Sequence, residues 1–300
     1  NNLIFDSAGS QDSCFIGGGG RNKIYEAGDS VIIAGADNVI TGGLNNLIGI
    51  GEFNTILNSS RQSAILAGRE NVMASLYSFI GGGSENMITG GGYAAGIGCG
   101  KNNSISGYYF SNGDQLSFIG GGESNKIERS ENCLIGGGES NLIYHSLFGG
   151  IFAGRNNTIT DQSNSSSDFS IIGGGENNTL YGDSCSILGG SGNLVTGKHF
   201  ILRGNQSKYS SILAGVENTT SGTLITILGG SGNFCSGPTS FIMGNNITSE
   251  VRGGSVLADD RSDPKIAKER SLLLDFESGT YLNLPQWTGS STTASHPGQM

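Results

Sequence analysis

Ser78-Phe79-Ile80-Gly81-Gly82-Gly83-Ser84-Glu85-Asn86-Met87-Ile88 carries the pattern that decides the fold. Isoleucine, glycine and asparagine stand three residues apart at Ile80, Gly83 and Asn86. The triplet occurs thirteen times, ending on Asn22, Asn38, Asn54, Asn71, Asn86, Asn103, Asn125, Asn141, Asn157, Asn178, Asn193, Asn218 and Asn233. Most steps between these asparagines are 15 to 17 residues. A register held this closely predicts a solenoid with one coil per repeat. Such folds make shafts and surfaces and seldom enclose an active site.

Each repeat reads as two short strands. One contains the fixed isoleucine and ends on small residues, as in Phe79–Gly83 or Ile65-Leu66-Ala67-Gly68. The recurrent glycine permits a positive φ or a close approach by the next coil. The asparagine opens the second strand, with an aliphatic residue two positions on (Ile24, Ile88, Ile143). Period-2 alternation puts that aliphatic and the fixed isoleucine inside the coil, and turns Lys23, Thr55, Lys126 and Thr158 outward. Stacked coils make a narrow parallel β-roll. About fourteen or fifteen coils at ~4.8 Å each give a rod of roughly 70 Å.

Two structural roles fit the asparagine. It could hold a left-handed corner, or its amide could bond to the amide one coil on, forming a ladder. A corner would also accept glycine, so a requirement for asparagine in every coil favours the ladder.

The outer face of the isoleucine strand is expected to be polar and is not. Where the residue before the isoleucine is large, glycine follows it: Phe15/Gly17, Leu47/Gly49, Phe79/Gly81, Phe118/Gly120, Leu134/Gly136, Ile171/Gly173. Where the first is small, the second is large: Ala64/Leu66, Gly150/Phe152, Ser186/Leu188, Ser211/Leu213, Thr226/Leu228. Val31/Ile33 and Gly96/Gly98 break the rule. Compensation of this kind keeps volume per layer nearly constant, as close packing requires. Phe15, Phe79, Phe118, Leu134, Phe152, Ile171, Leu188, Leu213 and Leu228 are therefore read as an inter-chain core. Parallel association about an axis keeps like layers together, so the expected symmetry is cyclic.

Composition agrees with a tightly turning β-structure. Glycine supplies 53 residues, about 18% against roughly 7% in ordinary proteins, without the triplet period of collagen. The net charge of −9 with 16 Lys plus Arg argues against nucleic acid as a partner. No apolar run approaches the ~20 residues of a spanning helix, so membrane insertion is not expected. Five cysteines cannot all pair, and no two stand at ligand spacing, so neither a metal nor a cofactor is expected. Cys14, Cys133 and Cys185 occupy the slot that Ser78, Ser117 and Ser170 hold elsewhere. They read as small half-buried side chains.

At Ser78–Ile88 the pattern resembles the head repeats of trimeric autotransporter adhesins and the related repeats of phage tail fibres. The likeness covers residues 13 to about 248. It extends to Gly254-Ser255-Val256-Leu257-Ala258-Asp259-Asp260, similar to a segment that often ends such arrays. Tyr281-Leu282-Asn283-Leu284-Pro285 and Gly298-Gln299-Met300 resemble linkers to C-terminal modules of phage fibres. The resemblance implies an all-β, left-handed parallel β-roll working as a homotrimer in host attachment. It further implies a virion-surface location, with other fibre proteins and a host glycan or protein as partners. The expected organisation is a lead-in over 1–12, the repeat shaft over 13–250, a capping β segment over 251–284 and a linker over 285–300. Coils here run 15–17 residues and carry insertions, which departs from the family pattern.

Two insertions interrupt the register, between Asn103 and Asn125 and between Asn157 and Asn178. The first holds Tyr108, Tyr109, Phe110, Asn112 and Asp114, a set suited to stacking on sugar rings and bonding their hydroxyls, or to clasping a neighbouring chain. The second, Asp161–Asp168, is serine-rich and reads as solvated. A further coil is expected at Ile201/Gly204, with Ser207 in place of asparagine. The last, Phe241/Gly244, is one residue short. A bacterial surface adhesin is the alternative to a virion fibre. A solenoid polysaccharide-degrading enzyme would need paired carboxylates ~5–10 Å apart. Glu123 and Glu139, in equivalent corners, and Asp259 and Asp260 lack a pocket-forming insertion beside them, so no enzyme is expected.

Overall fold

The computed structural model describes residues 1–5, 13–107, 116–160, 169–196, 209–258, 265–266 and 272–275. Among them there are strands and turns and no helix. The strands, β1 (Leu3–Phe5) to β32 (Leu272–Asp275), alternate between two 16-stranded sheets. Odd-numbered strands form sheet I, which follows the asparagines; even-numbered strands form sheet II, which holds the fixed isoleucines. Every pairing is parallel and joins equivalent positions of successive coils: Ile80 pairs with Ile65 and Ile97, and Ile88 with Met73 and Ile105. The result is a parallel β-solenoid of about 14 turns.

The interior is one apolar column per sheet. The sheet II isoleucines from Ile32 to Ile242 have no exposed surface, and Ile24, Ile40, Ile56, Met73 and their successors fill the sheet I side to the same degree. Each fully buried aliphatic contributes about 1.5–3 kcal/mol. No residue can slip by one without turning this column out to water, so the register is strongly specified.

Both corners turn through left-handed backbone. After sheet II, Gly83 (φ 96°) and then Glu85 (φ 59°) reverse the chain into Asn86. A Cβ on Gly83 would overlap the carbonyl oxygen of Gly100 in the next coil and lie 2.7 Å from Nδ2 of Asn86. Glycine is thus required both by φ and by the coil spacing. The asparagine itself is not the left-handed residue. That conformation falls one position earlier, at Arg21, Asp37, Glu70, Glu85 and their equivalents, which removes the corner as the reason for asparagine.

At both ends the stack runs on beyond the coils that the triplet marks. β1 (Leu3–Phe5) pairs in register with Lys23–Tyr25, so the start of the expected lead-in is already a rung. At the far end Ser255–Ala258 pairs with Phe241–Met243 and with Leu272–Asp275, continuing sheet II through the expected capping segment. The coil expected at Ile201/Gly204 lies outside the described residues. Ser186–Ile187 pairs directly with Ser211–Ile212, and Asn218 bonds directly to Asn193. The stretch 197–208 is therefore a third long gap between successive paired strands, beside the two that the asparagine spacing marks.

One inward position is polar without compensation. Thr220 occupies the sheet I aliphatic slot, fully buried, and neither its hydroxyl nor that of Ser221 has a hydrogen-bond partner. A buried unpaired hydroxyl costs about 1–3 kcal/mol. Thr220→Val is expected to stabilise the fold by about 1 kcal/mol, read as a higher denaturation midpoint at unchanged m-value. A destabilised variant would mean that Thr220 is satisfied.

Candidate functional site

The asparagine side chains form a continuous buried ladder. Nδ2 of Asn141 donates to Oδ1 of Asn125 at 3.0 Å, to the Gly137 carbonyl at 3.1 Å and to the Gly154 carbonyl at 2.9 Å. Its Oδ1 accepts the backbone N–H of Asn157 at 3.0 Å and Nδ2 of Asn157 at 3.2 Å. The amide thus couples three coils, with two hydrogens shared among three acceptors. The three long gaps leave the ladder intact: the backbone N–H bonds of Asn125, Asn178 and Asn218 to the preceding rung are 3.0, 3.1 and 3.1 Å. The triplet search missed one rung, Asn2, whose Oδ1 accepts from Asn22. The triplet spans six residues ahead of its asparagine, more than the sequence offers before Asn2, so the motif could not register it. The ladder ends where the backbone N–H of Ile247, not an asparagine, bonds to Asn233.

The sheet II outer face is where the compensation rule predicted apolar side chains. Phe15, Phe79, Phe152 and Leu188 are exposed, as are Phe118 (38%) and Ile171 (39%) at the lower end. Leu134, Leu213 and Leu228 are half-buried by their neighbours in the stack. The Gly96/Gly98 exception has a packing reason. Phe79 and Phe118, two coils apart, lean together over Gly96 with ring centroids 6.2 Å apart. A Cβ on Gly96 would lie 2.7 Å from one ring and 2.9 Å from the other. The empty layer is filled from both sides.

The three long gaps all fall at one corner, the turn from sheet I into sheet II. They sit between Ser104–Ser106 and Phe118–Ile119, between Thr158–Thr160 and Ile171–Ile172, and between Leu194–Thr196 and Ser211–Ile212. Tyr108, Tyr109, Phe110, Asn112 and Asp114 lie outside the described residues, as do Asp161–Asp168 and Asp259 and Asp260. The opposite corner is charged. Arg21 and Asp37 are joined by bonds of 2.7 and 2.6 Å, and the guanidinium holds that carboxyl below its ordinary range. Further along the same edge Arg155 meets Glu176 at 2.5 Å and Lys101 meets Glu123 at 3.9 Å. Glu123 and Glu139 are bridged neighbours in this column.

All five cysteines are free. Burial pushes the thiols of Cys133, Cys185 and Cys235 up to about 11, which suppresses the reactive thiolate. Cys99 is exposed.

No protein-family model matches the sequence, and no curated protein is significantly similar to it.

Two outcomes are expected. Asn141→Ala leaves several buried donors and acceptors unpaired, each worth about 1–3 kcal/mol, and should destabilise the chain by about 3 kcal/mol or more. Asn141→Asp should be worse at pH 7, because burial raises the folded-state pKa above its unfolded value. The protonated form is then the one tolerated, so the gap to wild type should narrow as pH falls through that raised pKa. Denaturation of both variants at pH 7 and pH 4.5 checks this; a pH-independent gap would contradict it. For the cysteines, a disulfide reagent at pH 8 should modify Cys99 rapidly, and Cys133, Cys185 and Cys235 only on unfolding.

Proposed function

We propose that this chain is the shaft of a self-associating attachment fibre, three copies packed in parallel about an axis through their sheet II outer faces. One observation carries the reading: the row of exposed phenylalanines, leucines and isoleucines along that face, from Phe15 to Leu188. Aromatic side chains bury ~150–250 Å² each. Left bare at half that area, the row exceeds the ~300–600 Å² of the largest apolar patch on a typical monomer. The compensation of large and small residues across each layer is a property of packed interfaces. The number three, the virion-surface location and the attachment role rest on the resemblance of Ser78–Ile88 and its repeats to phage-fibre and adhesin-head sequences.

Mechanically the design suits a spacer. Hydrogen-bonded sheets run the full length of the stack, ~70 Å for 16 strands. A second hydrogen-bonded path, the asparagine ladder, ties the same coils together inside. A rod so built would hold recognition elements at a distance from the particle that carries it.

The reading is tested by charge placement. Phe79→Asp with Phe118→Asp puts two carboxylates per chain into the proposed core. Each large apolar side chain contributes about 1.5–3 kcal/mol, so association should weaken by at least ~10²-fold. Lys23→Asp with Lys126→Asp, on the sheet I outer face, should leave the assembled mass unchanged. Equal effects of the two pairs, measured by sedimentation, would contradict the axial core.

A further inference from the structure

Both corners run through left-handed backbone and both hold charged residues (Glu26, Asp29 and Arg129 in the one leading into sheet II), but they differ in their bulky apolar residues. In the corner leading into sheet I the left-handed slot holds Arg21, Asp37, Glu70, Glu85 and Glu217 among small polar residues, with Phe53 as its one bulky apolar member. The corner leading into sheet II is different. Three residues before the fixed isoleucine stand Tyr77, Leu116, Phe148, Phe169, Tyr209 and Leu224, all about half exposed or more. All of these except Leu116 have a recorded φ between 53° and 60°. Asparagine is better suited to that conformation, and Asn45 and Asn132 occupy the same slot in other coils. Bulky apolar residues are disfavoured there twice, by the backbone and by exposure to water. Phe148 and Phe169 stack flush, ring centroids 4.9 Å apart and planes 6° from parallel.

Some of these corner residues continue the apolar stripe. Three of them stand two residues before an apolar stripe residue in the same layer: Tyr77 before Phe79, Leu116 before Phe118, Phe169 before Ile171; Phe148, Tyr209 and Leu224 precede the small Gly150, Ser211 and Thr226 of that position. In those three layers the apolar surface of sheet II therefore continues onto this corner, whereas on the other side Phe53 is the one bulky apolar residue of the left-handed slot. We propose that the apolar corner of one copy packs onto the sheet II stripe of the next copy. The contact between copies is then heterologous, and the charged corner faces water. This rests on the self-association proposed above and adds its direction. A stripe flanked alike on both sides would allow either rotational sense of a ring. Left-handed slots rich in bulky apolar residues on one flank and mostly polar on the other select one. The occupant is a second copy because the corner is continuous with the stripe at Tyr77, Leu116 and Phe169.

The test exchanges each corner's left-handed residues for asparagine in the full chain. Phe148→Asn with Phe169→Asn relieves the backbone, so folding by circular dichroism and thermal melting at high dilution should be preserved or improved. Association should nevertheless weaken at least tenfold by sedimentation equilibrium. Glu85→Asn with Glu217→Asn, the same change on the charged corner, should leave association unchanged. A photo-crosslinking benzoylphenylalanine in place of Phe169, which keeps the aromatic side chain, should link to sheet II residues of a second copy.

Wild-type association in all four asparagine-substituted positions, alongside dissociation by the Phe79/Phe118 aspartates, would overturn the corner contact and leave self-association standing. The corner would then be open to another occupant, such as a glycan. Crosslinks confined to one chain would overturn it likewise. A monomeric wild type would overturn both proposals.

Discussion

A single carboxamide, repeated at every rung, sets the geometry on which the rest depends. Only an amide of this length can donate to the rung before it and accept from the rung after it. At the same time it satisfies glycine carbonyls in its own coil and the next. Aspartate lacks the donors, serine the reach, and glutamine has a methylene too many for a slot this tight. Because the bonds from rung to rung run between coils, no coil can form its ladder alone. The order of the shaft is therefore cooperative along its length. The glycines are the other half of the constraint. Their carbonyls approach the preceding coil so closely that any Cβ would force the stack apart.

Once the stack is fixed, the two faces of each strand acquire separate meanings. Inward positions fill a column narrow enough for one aliphatic per strand. Outward positions on sheet II are free of that demand, yet they are apolar and volume-compensated. Interior packing cannot account for them. The closure of Phe79 and Phe118 over Gly96 shows that side chains within the stripe already pack on one another along the axis. Contacts around the axis are what the proposed assembly supplies. The corners add direction: one carries aromatic residues in a conformation that suits asparagine, the other carries ion pairs between successive coils.

Much of this was legible from residue spacing. The triplet located every rung from Asn22 to Asn233, and alternation placed the buried aliphatics correctly from Ile24 to Ile242. What spacing could not resolve was of two kinds. Asn2 and the 197–208 segment depend on which coil bonds to which, a long-range fact invisible to a local motif. Ile201 and Gly204 keep the repeat spacing, but Ser207 stands where the asparagine would. The corner aromatics were visible as bulky residues three before the isoleucine. Their significance lay in a positive φ and in exposure, neither of which a residue pattern reports. The inserted residues Tyr108–Asp114 remain an expectation from composition.

In the proposed assembly, sheet II's outer face is covered by further copies of the chain. The solution mass of the unmodified protein, by light scattering across a concentration range, tests it most directly. Three times 30.9 kDa, held down to low concentration, is the predicted result. A mass of 30.9 kDa at every concentration would contradict it, and would mean that the stripe from Phe15 to Leu188 serves something other than a second copy.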